Sequence, residues 1–407
     1  MKEGNGSENM NKSYGPKIGL LSGAAFSLAL GLGAPASLAQ TAVGLKVTDF
    51  AVGGPEDVFS KLNQLKDLAA AGKGKIAVLL PDTRSSTRWM TADAPGFERA
   101  FKQMGLTPND YIISNAQGMP QTQRTQAEQA ITDGASVLLI TNLDSGSGAA
   151  IQADAESKGV VVIDYDRLTL NGSAKFYVSF DNQNVGERMA QGLVKCIADW
   201  GVKSPQIYEL GGSPTDNNAT LVEAGYNSVL EPLYGDETAT KIGAVRVPNW
   251  DNQAGLTMFQ QALQANPQIN AVLSASDGLA QSVISVLKNA GVAPRTVPTT
   301  GQDAILFSLQ NILADYQCMT VYKPIYREAA AAAAIAVMIR AGETPGLNLI
   351  NGEYDAETHK VPSILLDLVT VDKTNMAATV VADKFVDPTD LCAGEFGKLC
   401  AENGIKH

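Results

Sequence analysis

Short runs of consecutive apolar residues alternate along the chain with longer stretches in which apolar positions recur every three or four residues. The first pattern is typical of buried strands in parallel sheets, and the second is typical of amphipathic helices. The first series comprises predicted strands at 76–80, 111–114, 137–140 and 160–164 and predicted helices at 97–104, 122–133 and 148–158. This order predicts parallel strands that are joined by right-handed helical crossovers.

The same alternation starts again near residue 176. The second series comprises predicted strands at 176–179, 206–210, 241–247 and 271–274 and predicted helices at 185–200, 219–230, 253–265 and 278–290. Two such series in one chain predict an α/β fold with two doubly wound, Rossmann-like lobes, whose ligands bind where the carboxyl ends of the strands converge. Residues 48–72 precede the first series and have a helical, linker-like pattern that suggests no function.

The first forty residues have the pattern of a secretion signal. Lys12 and Lys17 precede an apolar stretch at 18–32, and small residues ending at Ala39 follow it. The stretch is short and rich in Gly and Ala compared with a bilayer span, which needs about 20 apolar residues. We therefore predict a signal peptide over residues 1–39 that is cleaved near Ala39 after export to the periplasm. An uncleaved membrane anchor is the alternative.

Composition narrows the possible partners. The 407 residues are 45% apolar and 18% charged, a composition that argues against disorder. The net charge of −11 argues against a nucleic-acid or anionic-membrane partner. Two His and four Cys without CxxC spacing leave little material for a metal or redox site, so neither a metal nor a cofactor is predicted. Cys392 and Cys400 could close a short disulfide loop in an exported protein, whereas the sequence does not decide whether Cys196 and Cys318 meet.

Charged and amide side chains follow nearly every predicted strand, and two of these loops also contain a tryptophan. The residues in these loops are Asp82, Arg84, Arg88, Trp89, Asp164, Asp166, Arg167, Asp216, Asn218, Trp250, Asp251, Ser276, Asp277, Asp303 and Lys323. Sugar hydroxyls both donate and accept hydrogen bonds, which suits carboxylates, amides, Arg and Lys. The C–H faces of a pyranose pack on aromatic rings. The pattern therefore predicts a monosaccharide held between Trp89 and Trp250.

Several of these residues also have a purely structural interpretation. Asp82, Asp164 and Asp277 could cap the helices that follow them. Arg84 and Arg88 could be solvated loop charges. The coincidence across seven loops, rather than any single residue, favours the sugar interpretation.

Six segments carry more specific motifs, and together they identify a family. They are Arg88-Trp89, Tyr165-Asp-Arg167, Ser179-Phe-Asp-Asn182, Gly211-Gly-Ser-Pro-Thr-Asp-Asn-Asn-Ala219, Gly301-Gln-Asp303 and Thr320-Val-Tyr-Lys-Pro324. These segments resemble the periplasmic xylose-binding and multiple-monosaccharide-binding proteins of ABC importers. The resemblance spans residues 74–388 and implies the type I periplasmic binding protein fold, in which three crossover segments join two Rossmann-like lobes.

The resemblance also implies how the chain is divided. The implied regions are a first lobe at 74–168 and 323–362, a second lobe at 169–322 and 363–388, an N-terminal extension at 40–73 and a Cys-containing tail at 389–407. The extension and the tail lie outside the resemblance.

Carried over motif by motif, the resemblance implies ten sugar-binding residues. They are Arg88, Trp89, Asp166, Arg167, Asp216, Asn218, Trp250, Ser276, Asp303 and Lys323. Asp166 and Arg167 would lie at the first crossover, and Lys323 would lie at the second. Ser276 departs from the xylose-binding pattern, which has Asn at this position. Because Ser is shorter, room remains for a hexose with an additional CH₂OH group.

The implied function is that of an exported, monomeric receptor. It would close its two lobes around one sugar, with xylose as the first candidate and glucose, galactose or arabinose as further ones. It would then deliver the sugar to a membrane ABC permease. Docking to a chemoreceptor or a sensor kinase is compatible with this function.

Two other classes of protein are weighed against this receptor. An exported glycosidase or sugar-modifying enzyme could use Asp216 and Asp303 as paired carboxylates, although Arg and Lys neighbours favour a role as hydroxyl acceptors. A transcription regulator of similar fold would need a basic helix-turn-helix where the export signal stands.

Overall fold

A seven-stranded and a three-stranded β-sheet flanked by helices, together with a two-stranded sheet, form the framework of the protein in a computed structural model that describes residues 44–406. The strands are β1 (Lys75–Leu80), β2 (Tyr111–Asn115), β3 (Ala135–Ile140), β4 (Val161–Tyr165), β5 (Phe176–Phe180), β6 (Gln206–Gly211), β7 (Thr240–Arg246), β8 (Ala271–Ser274), β9 (Met319–Tyr322), β10 (Gly352–Asp355), β11 (Lys360–Leu366) and β12 (Val369–Asp372).

The helices confirm the predicted alternation to within a few residues at each end. They are α1 (Pro55–Lys61), α2 (Lys66–Ala71), α3 (Ala94–Gln103), α4 (Pro120–Thr132), α5 (Ser145–Ser157), α6 (Asn182–Asp199), α7 (Asn217–Gly235), α8 (Asn252–Ala265), α9 (Asp277–Asn289), α10 (Leu306–Leu313), α11 (Ile325–Arg340), α12 (Pro388–Leu391) and α13 (Phe396–Glu402). Within residues 44–406 no helix is long and apolar enough to cross a bilayer. The predicted signal peptide at 1–39 lies outside the described residues.

The first sheet has seven strands in the order β10-β11-β5-β4-β3-β1-β2. All neighbouring strands are parallel except β10 and β11. Its central strands are nearly continuous apolar runs because helices cover both faces, with α3 and α11 in one core and α4 and α5 in the other. The alanine run of α11 permits close helix packing, so that a Cβ at Gly96 of α3 would stand 3.0 Å from the Ala329 Cβ.

The second sheet contains β7, β6 and β8 as parallel neighbours in that order. Parallel bridges from β8 to Thr299 and from Gln302 to β9 extend it, and β12 pairs antiparallel with β9. A disulfide joins Cys196 of α6 to Cys318, directly before β9. The structure thereby decides a pairing that the sequence left open, and it ties a long helix to the sheet that the helix covers.

Two of the three implied lobe boundaries are wrong. β5 hydrogen-bonds to β4 and β11 in the first sheet, so residues 169–180 belong to the first lobe and not to the second. β11 likewise keeps residues 363–366 in the first lobe. The chain crosses between lobes after β5, near Lys323 and after β11, so Asp166 and Arg167 lie within the first lobe and not at a crossover. Apolar periodicity identifies a strand, but it does not indicate which sheet the strand joins.

The N-terminal extension and the C-terminal tail are both packed on the lobes. The predicted helical character of residues 48–72 is confirmed, and α1 and α2 bury side chains such as Phe59 and Ala69 in the core that contains α11. The tail contains α12, α13 and the Cys392–Cys400 disulfide, and it forms a small apolar core with α10. The tail is therefore part of the second lobe's packing.

The N-terminal extension, the second crossover and the segment before the tail meet at one polar cluster. The Asp383 carboxylate, which lies just before the tail, accepts hydrogen bonds from the hydroxyls of Tyr322 and Tyr326. The neighbouring Arg327 guanidinium donates to the carbonyl oxygens of Ala51 and Gly53, at 2.6 and 2.9 Å. These contacts fix the N-terminal extension and the segment around Asp383 beside the crossover at Lys323.

Candidate functional site

A cavity of about 40 Å³ lies between the two lobes, at the carboxyl ends of strands from both sheets. Its lining residues are Ser85, Ser86, Arg88, Trp89, Asp166, Arg167, Asn182, Asp216, Asn218, Trp250, Ser276, Gln302, Asp303 and Lys323. The structure thus brings together all ten residues that the sequence singled out. Because the two indole rings stand among charged and amide groups, the lining suits a small polar ligand with apolar faces.

A chain of hydrogen bonds in the loop after β1 positions Trp89. The Asp82 carboxylate accepts from the backbone N–H groups of Arg84 and Ser85, at 2.7 and 2.6 Å, and from the Ser85 hydroxyl. The Ser85 Oγ in turn accepts from Trp89 Nε1 at 3.2 Å. Asp82 therefore shapes the loop that positions the Trp89 indole. It does not cap a helix, which was the structural alternative.

Arg88 and Asp166 form the charged wall of the first lobe. Arg88 Nη1 donates to Asp166 Oδ2 at 2.8 Å and lies 3.9 Å from Asp303 Oδ1 of the second lobe. Arg88 is only 2% exposed, so it is not a solvated loop charge. Burial opposes ionisation of Asp166, but Arg88, Lys323 and Arg167 together hold the pKa of its carboxyl below the ordinary value. Asp166 is therefore a charged hydrogen-bond acceptor at the cavity.

In the second lobe, Trp250 rests against a glycine. Asn249 and Trp250 both have left-handed backbone angles, with φ of 55° and 54°, and this turn lays the indole over Gly212. Trp250 Nε1 donates to Asp216 Oδ2 at 2.9 Å. Asp216 also caps α7 by accepting from the Asn218 N–H. The Gly-Gly motif is thus a surface for an aromatic ring, because any larger residue at 212 would collide with it.

Three polar contacts connect the lobes across the cavity. Arg167 Nε lies 3.0 Å from Asp216 Oδ2. Asn218 Nδ2 donates to the Asp166 carbonyl at 2.8 Å, and Lys323 Nζ is paired with the Asp303 carboxylate at 2.9 Å. These residues are all nearly buried. The two lobes therefore face each other in a closed arrangement, in which donors and acceptors from both sides converge on one small space.

Buried carboxyl groups support the loops of both lobes from behind. Asp164 accepts from the Thr169 N–H at 2.7 Å, and burial raises its pKa to about 7. Asp277 accepts from the Ile305 N–H at 3.1 Å and from the Thr320 hydroxyl at 2.9 Å. Burial and then the Asp303 charge raise the pKa of Asp277 to about 8. Asp164 holds the loop that follows its own strand, β4, whereas Asp277 holds Ile305 and strand β9. Neither caps the helix that follows it in the chain, as the alternative interpretation proposed.

Four of the fourteen residues that line the cavity were not among the ten that the sequence analysis predicted. Asn182 and Gln302 stand inside two of the six motifs, so the motif positions were a usable signal. Asn182 Nδ2 donates to the Tyr177 hydroxyl and the Phe180 carbonyl, and Gln302 Nε2 donates to the Ala275 carbonyl at 2.8 Å. Ser85 and Ser86 had no signal beyond their place in the loop after β1.

The architecture and the cavity together define a class. Two α/β lobes with parallel sheets, three crossovers and a polar cavity between the carboxyl ends of the strands make the type I periplasmic binding protein fold. A family profile described as "Periplasmic binding protein domain" matches residues 76–344, and the chain belongs to this family. The resemblance drawn from the six motifs is confirmed.

Individual relatives extend this finding over most of the chain. The chain is 34% identical over 331 residues to the D-xylose-binding periplasmic protein of Escherichia coli K12, covering 80% of this chain and 96% of that protein. It is 32% identical over 330 residues to the multiple sugar-binding periplasmic receptor ChvE of Rhizobium radiobacter, covering 77% and 90%. The family consists of substrate-binding proteins, which leaves the enzyme alternative without support.

A solved structure is similar in fold. The ABC transporter solute-binding protein of Clostridium phytofermentans with bound β-D-glucose is 25% identical, with a TM-score of 0.69. The alignment covers 78% of this chain and 99% of that one. The similarity therefore includes both lobes but not the full length of this chain.

Proposed function

We propose that this protein is the periplasmic receptor of an ABC sugar importer and that it binds one monosaccharide in the cavity between its lobes. The observation that supports this most is the pairing of Trp89 from the first lobe with Trp250 from the second at one cavity with charged walls. Aromatic rings match the C–H faces of a sugar, and Arg, Lys and carboxylate groups match its hydroxyls. The proposed receptor has no catalytic step.

The ten predicted residues among the fourteen that line the cavity take two proposed roles. Trp89 and Trp250 pack on the faces of the sugar ring. The other eight, Arg88, Asp166, Arg167, Asp216, Asn218, Ser276, Asp303 and Lys323, hydrogen-bond its hydroxyls. The lobes close because the sugar touches both of them, so it binds the closed form better than the open form. A micromolar dissociation constant would correspond to about −8 kcal/mol, which a few charge-assisted hydrogen bonds and two stacking contacts can supply.

Among sugars, D-xylose is the first candidate, and glucose, galactose and arabinose follow. The named relatives include D-xylose-binding proteins and a multiple sugar-binding receptor, and a solved relative holds β-D-glucose. The Ser276 hydroxyl accepts from the Leu279 N–H as the cap of α9, so its side chain stays back against the helix. This arrangement leaves space beside the sugar for the additional group of a hexose.

The proposed cellular role follows from the same function. The protein would be exported by the signal peptide at 1–39, would act in the periplasm as a monomer and would deliver its sugar to a membrane ABC permease. Docking of the closed form to a chemoreceptor or sensor kinase would be a second role of the same conformation.

A thermal-shift screen tests this proposal. Xylose, glucose, galactose, arabinose, ribose and inositol are added separately to the purified protein, and hits are measured by titration calorimetry. We expect at least one of them to raise the melting temperature, because a ligand that binds only the folded state stabilises it. The Trp250→Ala variant is the control and should lose the shift. A panel with no shift for any sugar, or turnover of nitrophenyl glycosides, would contradict the proposal.

A further inference from the structure

Arg88 has little freedom to contact a ligand, because three first-lobe carboxyl groups hold its guanidinium. The Asp93 carboxylate accepts hydrogen bonds from two of the five guanidinium N–H groups, from Nε at 3.0 Å and from Nη2 at 2.8 Å. Glu328 accepts the other Nη2 hydrogen at 2.8 Å, and Asp166 accepts one from Nη1 at 2.8 Å. A single N–H of Nη1 is left, on the side of Asp303. The direction of that N–H is therefore set by Asp93 and Glu328, which do not line the cavity.

The charges of this cluster do not balance if every group is ionised. Arg88 and Lys323 are the two cations of this cluster, since Arg167 is balanced by its own partner Asp216. They face four carboxyl groups, those of Asp93, Asp166, Asp303 and Glu328. Full ionisation would leave an excess of two negative charges in a region from which water is excluded. A buried charge without a partner is costly, so at least one carboxyl group is expected to hold a proton.

The hydrogen bonds of the cluster indicate which carboxyl group holds the proton. Asp93 Oδ1 accepts from both Arg88 and the Tyr165 hydroxyl, at 2.8 and 2.6 Å, and Asp93 Oδ2 accepts from Arg88. Glu328 accepts one hydrogen bond at Oε2, and its buried Oε1 has no hydrogen-bond partner among the described residues. Burial, and then the Asp166 charge, raise the pKa of Glu328 well above its usual range. Burial also raises the pKa of Asp93, but there the bonds from Arg88 and Tyr165 act in the opposite direction.

We propose that Asp93 and Glu328 are positioning residues for Arg88 and that they differ in charge. Asp93 is ionised and binds the Arg88 guanidinium through two hydrogen bonds. Glu328 is protonated and accepts one hydrogen bond from Arg88 without adding a negative charge. Glu328 stands in the first turn of α11, directly after the crossover that carries Lys323. It therefore holds Arg88 from the element that links the two lobes. This inference rests on the proposed sugar-binding function and names the residues that prepare one wall of that site.

Two isosteric substitutions with opposite expected results test the inference. Glutamine at 328 can offer an amide oxygen at Oε2 and place its NH₂ group at the unpartnered Oε1 position. Glu328→Gln should therefore keep the dissociation constant of the sugar that the screen identifies within about threefold of the native value. Asparagine at 93 must turn an NH₂ group toward an N–H of Arg88 in either orientation. Asp93→Asn should weaken binding about tenfold to hundredfold, the cost of losing a charged hydrogen bond.

Two further measurements separate positioning from folding. Glu209 is a buried glutamate of the second lobe, paired with Lys241 at 2.9 Å and outside the cavity, so Glu209→Gln is a matched control that should leave the affinity unchanged. The infrared difference spectrum of native protein minus Glu328→Gln at pH 7 should show a protonated carboxyl band from residue 328, since the absorption of Asp277 and Asp164 is common to both proteins and cancels. Melting temperatures are recorded for every variant.

The outcomes separate this inference from the proposed function. No sugar binding by the native protein would refute the proposed function. Native binding together with equal losses in Glu328→Gln and Asp93→Asn, native affinity in Asp93→Asn, or an unchanged carboxyl band would overturn the inference. If Asp93→Asn does not fold, Glu328→Ala replaces it, and it must bind about fivefold or more weakly while Glu328→Gln does not.

Discussion

Replacing Gly212 with alanine tests the position of Trp250 by adding a single methyl group. A Cβ at residue 212 would stand 2.1 Å from Cη2, 2.2 Å from Cζ2 and 2.5 Å from Cζ3 of the Trp250 ring. Ordinary carbon contacts are about 3.5–4.0 Å, so the ring must move by more than an ångström. The backbone at Gly212 is not in the left-handed region, so alanine introduces no backbone strain and the substitution acts on the ring alone.

The expected effect follows from the contacts that the ring would lose. The indole donates to the Asp216 carboxylate at 2.9 Å, and a hydrogen bond to a charged group is worth about 1.5–3 kcal/mol. A stacking contact contributes about 0.5–1.5 kcal/mol beyond the area it buries. A combined loss of about 2–4 kcal/mol would raise the dissociation constant roughly thirtyfold to a thousandfold.

Titration calorimetry with the sugar identified by the screen measures this effect, and the adjacent glycine provides a matched control. A Cβ at Gly211 would meet its nearest neighbours, Tyr226 Oη and the Val245 carbonyl, at 3.4 Å, which is ordinary contact. Gly211→Ala should therefore bind as the native protein does. Native affinity in a folded Gly212→Ala protein would refute the role of the ring at this position.

Three further predictions concern other contacts of the site and the core. Arg167→Lys should raise the dissociation constant about tenfold to a hundredfold in calorimetry, because lysine cannot keep both the Nε contact to Asp216 and the Nη1 hydrogen bond to the Asn142 carbonyl; unchanged affinity would argue against these contacts. Burial raises the pKa of Asp277 to about 8 in the folded protein, so the stability that this group contributes is complete at low pH and is lost as pH rises through about 8. Melting temperatures from pH 6 to 9 should thus fall less steeply in Asp277→Asn, and equal slopes would contradict the shift. The Cys196–Cys318 disulfide closes a loop of 122 residues, and its removal should lower the free energy of unfolding by about 2–5 kcal/mol in urea titrations. The sugar affinity should remain that of the native protein. A loss of affinity without a loss of stability would contradict a structural role for the disulfide.

The polar cluster around Asp383 explains how segments outside the six motifs belong to the fold. Tyr322 and Tyr326 lie on either side of the second crossover, and Arg327 reaches the carbonyls of the N-terminal extension. No pattern in the sequence connects residues 51–53 with residue 383, because the contact depends on helices from both lobes coming together. The sequence could predict that the extension is helical, but it could not predict what the extension covers.

The sequence alone determined the local elements and the composition of the site. Strands such as β1 and β8 follow from apolar runs, and helix ends follow from Gly and Asx residues, because these preferences act within a few residues. Ten of the fourteen cavity-lining residues were predictable because their motifs resemble those of a known family. Only the tertiary structure decided that β5 joins the first sheet, that Cys196 meets Cys318 and that Asp93 and Glu328 stand behind Arg88. These features depend on hydrogen bonds and packing between segments far apart in the chain, which local sequence patterns do not encode.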